Sequence, residues 1–279
     1  MHLNGRNTMR GRYLTTTLAC AALLCLFTLW GCSENDSTNP STGTVTIHMT
    51  DAPAIEGVDA VNLNVIGVSI KQSSDESDQG WETLRSDSMN VNLLTLQNGV
   101  FTTLATGRVA AGTYEQVRLK LGAGSTVVVD GVTHPLTVPS GMQSGLKIVG
   151  PFTVPSGSGV DLALDFDASR SIILTGSGTY MLKPVVHVMT FAQMGQIKGR
   201  VLPTDVTTSV FATMANDTLG SAVTGTDGRF QISVLSAGTY NVLFDPPAAY
   251  FDTTLVNVGV TAGHTTDVGD VQLTANPTP

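Results

Sequence analysis

Cysteine is nearly missing from this sequence: its 279 residues include three, Cys20, Cys25 and Cys32, and none follows. No disulfide framework can hold the long body beyond residue 32, so a packed core has to do so. Charge is scarce as well. Charged residues make up 13% of the chain, against roughly 25% in an average soluble domain. Arg6, Arg10 and Arg12 all precede the first acid, Glu34, and without them acids outnumber bases two to one. No basic stripe remains to neutralise phosphates, which excludes a nucleic-acid partner. Aromatic residues amount to 6%, and Trp81 is the only tryptophan beyond residue 30. The one pronounced apolar run, residues 18–30, falls short of the ~20 residues a spanning helix needs. What the chain does have is 42% apolar residues and 29 glycines, a composition that excludes a mostly disordered polymer.

Residues 1–31 read as a lipoprotein signal peptide. Arg10 and Arg12 supply the positive start, and residues 18–30 (LACAALLCLFTLW) the apolar region. Leu29-Trp30-Gly31-Cys32 resembles a lipobox, in which a small residue precedes the cysteine that is acylated. Cys32 is the expected lipidation site, and several acyl chains on one residue suffice for stable anchoring. Ser33 in place of Asp resembles the pattern sorted to the outer membrane, so the expected location is the bacterial outer membrane. Residues 32–42 form the expected tether, polar and rich in Ser and Asn.

Beyond the tether, side chains alternate. Val45, Ile47 and Met49 alternate with polar neighbours, as do Val61, Leu63 and Val65, then Val117, Leu119 and Leu121. The phase shifts at Ile66-Gly67, as a β-bulge requires. Asp130-Gly131 separates two short apolar runs and predicts a hairpin. Convincing helical periodicity is missing outside the leader, although residues 93–104 leave room for a turn or two. A long strand is expected over residues 180–191, and a boundary follows at 192–195. The expected fold is all-β, with two antiparallel β-sandwich domains in tandem at residues 43–192 and 195–274, then a short tail, 275–279. Ala111-Gly112-Thr113-Tyr114 and Ala237-Gly238-Thr239-Tyr240 echo one another, each introducing an apolar strand. We read the echo as a shared device: Gly turns the chain and Tyr packs at a sandwich corner.

Two resemblances follow from particular motifs. Met49-Thr50-Asp51-Ala52-Pro53, Gly80-Trp81, Asn92-Leu93-Leu94, residues 111–119 (AGTYEQVRL), Leu164-Asp165-Phe166-Asp167 and Tyr180-Met181-Leu182-Lys183-Pro184 occur in order across residues 43–192. In them the segment resembles the bacterial lipoprotein domain of unknown function 4382, which implies a β domain and brings no catalytic residues. Ile197-Lys198-Gly199-Arg200-Val201, residues 226–232 (TDGRFQI) and Gly238-Thr239-Tyr240-Asn241-Val242 resemble the carboxypeptidase regulatory-like family. That resemblance implies a seven-stranded, transthyretin-like sandwich with an accessory, non-catalytic role.

Few residues suggest chemistry. Asp161, Asp165 and Asp167 are the best metal candidates, since hard carboxylate oxygens suit Ca²⁺. One strand cannot close a shell of 6–8 oxygens, however, so the favoured reading is a solvated face paired with Arg118 and Lys120. Asp75, Glu76 and Asp78 suit a solvated loop. His48, His134, His187 and His264 stand apart, without zinc spacing. No Gly-x-Ser-x-Gly elbow and no phosphate-binding loop occurs. Trp81, Tyr250 and Phe251 are the candidate platforms for a sugar. The expectation is a non-enzymatic, cofactor-free envelope protein, anchored in the bilayer through Cys32 and presenting two β domains for structural or adhesive contacts. The alternative is a carbohydrate- or cation-binding accessory module of an uptake or hydrolase system, with a glycan or envelope protein as partner.

Overall fold

Alternating apolar residues build strands and little else. The computed structural model describes residues 41–51, 57–72, 80–139, 144–215 and 217–277. The first half comprises β1 (Thr42–Asp51), β2 (Val58–Gln72), β3 (Trp81–Arg85), β4 (Met89–Asn92), a 3-10 turn (Leu93–Thr95), β5 (Thr102–Ala110) and β6 (Gly112–Leu121). It continues with β7 (Thr126–Val129), β8 (Val132–Thr137), β9 (Leu146–Val154), β10 (Gly159–Phe166), α1 (Ala168–Ser171), β11 (Ile172–Leu174), β12 (Tyr180–Leu182) and β13 (Val186–Thr190). The second half comprises β14 (Gly195–Leu202), β15 (Ser209–Met214), β16 (Asp217–Val223), β17 (Arg229–Leu235), β18 (Gly238–Asp245), β19 (Thr253–Val260) and β20 (Thr265–Gln272). None of the described helices is long and apolar enough to cross a membrane.

In the N-terminal module, a four-stranded sheet ordered β13-β10-β1-β5 packs on a nine-stranded one, β11-β12-β8-β7-β2-β6-β9, with β3 and β4 also on β2. Val45, Ile47, Met49, Leu63, Ile70, Leu104, Leu119 and Phe166 meet between the sheets, all at 0% exposure. Each such side chain contributes ~1.5–3 kcal/mol when fully buried. The C-terminal module stacks a three-stranded sheet, β17-β14-β20, on a four-stranded one, β16-β15-β18-β19. Ile197, Phe230, Tyr240, Val242 and Phe244 fill it, with Phe230 edge-on to Phe244 at 5.5 Å. Both modules belong to one compact unit, Pro40–Pro279.

Three pairings are parallel rather than antiparallel: β1 with β10, β8 with β12, and β14 with β20. In two of these, the opening strand of a module lies beside a late strand of the same module. The expected strand over residues 180–191 is two strands in different sheets. Pro184, which cannot donate to a ladder, stands in the break between β12 and β13. On β15, Val210 and Ala212 take the core-facing phase and Phe211 is half-buried on the other face.

The two AGTY segments form the same corner. Tyr114 and Tyr240 are each 1% exposed, and each hydroxyl donates to the carbonyl four residues upstream, Ala110 at 2.9 Å and Ser236 at 2.8 Å. Such tyrosine corners pin the chain where it crosses between sheets.

Candidate functional site

Asp161, Asp165 and Asp167 come from β10 and the residue that ends it, yet the fold gives them three different environments. The expected partners are elsewhere: Arg118 and Lys120 lie on β6, in the opposite sheet. Asp161 sits at the rim, its side chain 54% exposed, and pairs with His48 Nε2 at 3.2 Å. His48 Nδ1 lies 3.1 Å from Thr103 Oγ1, and its ring stacks on Phe191 at 5.0 Å. Thr103, His48 and Asp161 thus line up as nucleophile, base and orienter would. The three nevertheless stand on one sheet face, where the backbone N–H groups of β1 and β10 are committed to the β-ladder rather than aimed at a developing oxyanion.

Asp167 turns inward and caps α1. Its Oδ1 accepts from Ser169 Oγ at 2.6 Å and from the Arg170 amide at 3.0 Å. Asp165 is buried, with 6% exposure, and its carboxylate makes no hydrogen bond to a side chain or amide of the described residues. Burial, and then the charge of Asp167, push its carboxyl up to about 7. The predicted solvated face is therefore wrong at this position, because a second module covers the strand.

Asp51 completes the cluster. It is 6% exposed, and its Oδ1 accepts from the Ala168 amide at 3.0 Å. Burial pushes this carboxyl well above the usual carboxylate range; the Ala168 amide opposes the shift, while the charges of Asp165 and Asp167 add to it. The nearby Gln97 amide also lowers it slightly, although Asp51 Oδ2 and Gln97 Nε2 are both buried without a hydrogen-bond partner.

The covering comes from the C-terminal module. Asn98 donates to the Val223 carbonyl at 2.9 Å and accepts from the Gln231 amide at 3.3 Å, bridging edge strands of both C-terminal sheets. Asn98 and Gly99 have φ of 55° and 79°, and a Cβ on Gly99 would collide with the Gln231 side chain. Ala163, Met194 and Val234 add a small apolar cluster, with Phe101, Met189 and Phe191 packed against it. Between the modules lies a cavity of about 10 Å³, bounded by Thr50, Asp51 and Asp165 on one side and by Ser221, Gln231 and Ser233 on the other.

The candidate sugar platforms are not open faces. Arg118 lies over the Trp81 ring at 3.6 Å, with Lys147 Nζ 6.0 Å from its centre. Tyr250 packs on the C-terminal core, leaving Phe251, 49% exposed, on its own. A groove of about 470 Å³ runs over the C-terminal three-stranded sheet and carries both charges. There Lys198 pairs with Asp267 at 3.5 Å and Arg229 with Asp227 at 3.2 Å. Among the described residues, no three His, Cys, Asp or Glu side chains converge as a metal site. Cys32, the expected lipid carrier, and the acids Asp75, Glu76 and Asp78 lie outside the described residues.

Asp51, Gln97 and Asn98 were not singled out as site residues from the sequence. Their only signal is polarity directly after an alternating strand or apolar turn, which any loop shows.

Residues 42–184, just over half of the chain, match the family described as Domain of unknown function (DUF4382). No curated protein matches the sequence. Among solved structures, the chain is similar to a type II cohesin–X–dockerin complex from Acetivibrio cellulolyticus, with 25% identity over 29% of this chain and 57% of that one, TM-score 0.25. It is also similar to a minor pilin of Streptococcus agalactiae, with 11% identity over 84% of this chain and 97% of that one, TM-score 0.22. A third, the TIE protein of Bacillus anthracis, shows 10% identity over 84% of this chain and 34% of that one, TM-score 0.24. The chain spans 57% of the length of the first two solved chains it matches. Scores of this size transfer no residue roles.

Proposed function

The chain belongs to the family of the domain of unknown function DUF4382, and we propose that it acts as a non-catalytic, lipid-anchored presenter of two joined β-sandwiches at the bacterial outer membrane. The observation that carries this reading is the junction. Side chains of one module hydrogen-bond strand edges of the other through Asn98, and an apolar cluster backs them. Two sandwiches joined in this way suit a rigid support for structural or adhesive contacts better than a hinge closing over a substrate. The C-terminal module, with seven strands in sheets of three and four, is read as carboxypeptidase regulatory-like and accessory. The Thr103–His48–Asp161 arrangement serves, on this reading, to orient side chains at the rim of the junction. Its partners are the bilayer, through Cys32, and an envelope protein that meets the exposed module faces. The covered Trp81 and half-buried Tyr250 give the glycan reading no support.

Anchoring is tested by Cys32→Ala. The variant is expected to move from the membrane fraction to the soluble periplasmic or culture fraction and to lose incorporation of labelled palmitate. A variant that still sediments with membranes and takes up label would sink the anchored reading.

A further inference from the structure

An asparagine followed by glycine carries its own reagent. The glycine nitrogen has no neighbouring Cβ to shield it, so it can attack the asparagine Cγ, one route by which asparagine is thermolabile. Beyond residue 5 the sequence contains one such pair, Asn98-Gly99, and the fold sets it at the junction of the modules. Residues 97–100 form a β-turn, closed by the Val100 amide donating to the Gln97 carbonyl at 3.3 Å. Both central residues take positive φ, which asparagine and glycine tolerate best.

Nucleophile and electrophile are held differently. No hydrogen bond among the described residues engages the Gly99 N–H. The Asn98 carboxamide, by contrast, is bound at both ends to the other module. Its Nδ2 donates to the Val223 carbonyl at 2.9 Å, and its Oδ1 accepts from the Gln231 amide at 3.3 Å. Ring closure makes the planar Cγ tetrahedral, draws it onto the Gly99 nitrogen and expels Nδ2. It therefore forfeits the bond to Val223 and misdirects the one to Gln231. Closed modules hold the carboxamide out of reaction, and parted modules release it.

We propose that Asn98-Gly99 is a self-modification site that turns the junction into a one-way latch: opening of the modules permits deamidation, and deamidation prevents them from closing again. In the first step the Gly99 nitrogen gives up its proton and bonds to Asn98 Cγ. The Cγ–Nδ2 bond breaks, ammonia leaves with that proton, and a five-membered succinimide remains. Water then opens the ring at either carbonyl, giving aspartate or isoaspartate; the net change is water in and ammonia out, with no oxidation. An aspartate sets a carboxylate oxygen against the Val223 carbonyl, where a donor stood. It also brings a negative charge to a junction that already encloses Asp165. Isoaspartate lengthens the backbone inside a turn that fits tightly against the Gln231 side chain.

The test ages the protein at neutral pH, folded and in guanidinium, and follows the tryptic peptide 86–108, which ends at Arg108 and begins after Arg85. Mass spectrometry detects the exchange of amide for acid, and chromatography separates the two products. Modification through an open state scales with the population of that state, so Asn98 should convert at least ~10-fold more slowly in the folded chain. Met194→Glu, which places a charge in the apolar cluster of the junction, should raise the folded rate several-fold. Phe101→Ala loosens the same cluster more mildly and serves if the first variant does not fold. Asn98→Asp should lower Tm by several degrees and split the melt, as should the aged wild-type fraction. Equal rates in folded and unfolded chains would overturn the proposal. So would a folded rate unchanged by either junction variant, or an Asn98→Asp protein that melts as the wild type does. None of these results bears on membrane anchoring, which Cys32→Ala tests separately.

Discussion

Asp161 and Asp165 share one strand and one face, and they differ in every respect that matters energetically. The first is exposed and paired with His48; the second is buried, unpaired and titrates near 7. Their strand, β10, runs from the rim of the N-terminal module toward the junction, and the C-terminal module covers only its far end. Period-2 alternation assigns a side chain to a face. What lies over that face is decided by residues distant in the chain, here Asn98, Ser221, Gln231 and Ser233.

Opening the junction should erase the contrast, and Gly99→Val is the sharpest way to open it. The residue needs φ of 79°, and any side chain would strike Gln231. Strain of this kind costs on the order of 1–3 kcal/mol, with the collision added. Melts by calorimetry should then show two transitions where a single one is expected of the wild type, and the Asp165 carboxyl should return toward the ordinary carboxylate range when followed by NMR. A single unshifted transition would show that the junction does not couple the modules.

The next effect is on pH dependence. A carboxylate whose folded pKa is raised stabilises the native state only while protonated. Its contribution is fully present below about pH 4, the unfolded value, and is lost as pH rises through about 7. Stability should therefore fall between pH 4 and 8, by a few kcal/mol for a shift of this size, and Asp165→Asn should flatten part of that slope, the rest belonging to Asp51, whose carboxyl is raised as well. Denaturant titrations at pH 5 and pH 8 suffice. An unchanged slope in the variant would place the titrating group elsewhere.

The smallest effect belongs to the rim. Asp161→Asn removes an exposed ion pair, worth ~0–1 kcal/mol, and Tm should move by no more than a degree or two. A loss as large as that at the junction would mean that the two ends of β10 are not as different as their surroundings indicate.

Much of the scaffold was legible because it rests on local physics. Asp130 and Gly131 both take positive φ, 48° and 74°, as a two-residue hairpin demands. The ladder between β2 and β6 slips between Val65 and Gly67, where the apolar phase shifts. The tyrosine corners repeat because Ala-Gly-Thr-Tyr encodes the same turn and the same hydroxyl reach twice. The misses have a common cause in tertiary context. Pro184 splits a convincing apolar run between two sheets. The acid cluster was half visible: Asp165 stood out, but Asp51 looked like the end of a strand. Its environment depends on Ala168 more than a hundred residues away and on a module that period-2 alternation cannot place.

The position of β1 has a mechanical meaning. It is an interior strand, held by β10 in parallel register over Thr44–Asp51 and by β5 on its other side. A pull on the chain ahead of Thr42 would act along the strand axis and load both ladders at once. In that shear geometry many hydrogen bonds share the force, whereas an edge strand pulled sideways would part from its neighbour one bond at a time. The first element after the N-terminal segment is thus built to be tugged from that side without unravelling the sandwich behind it.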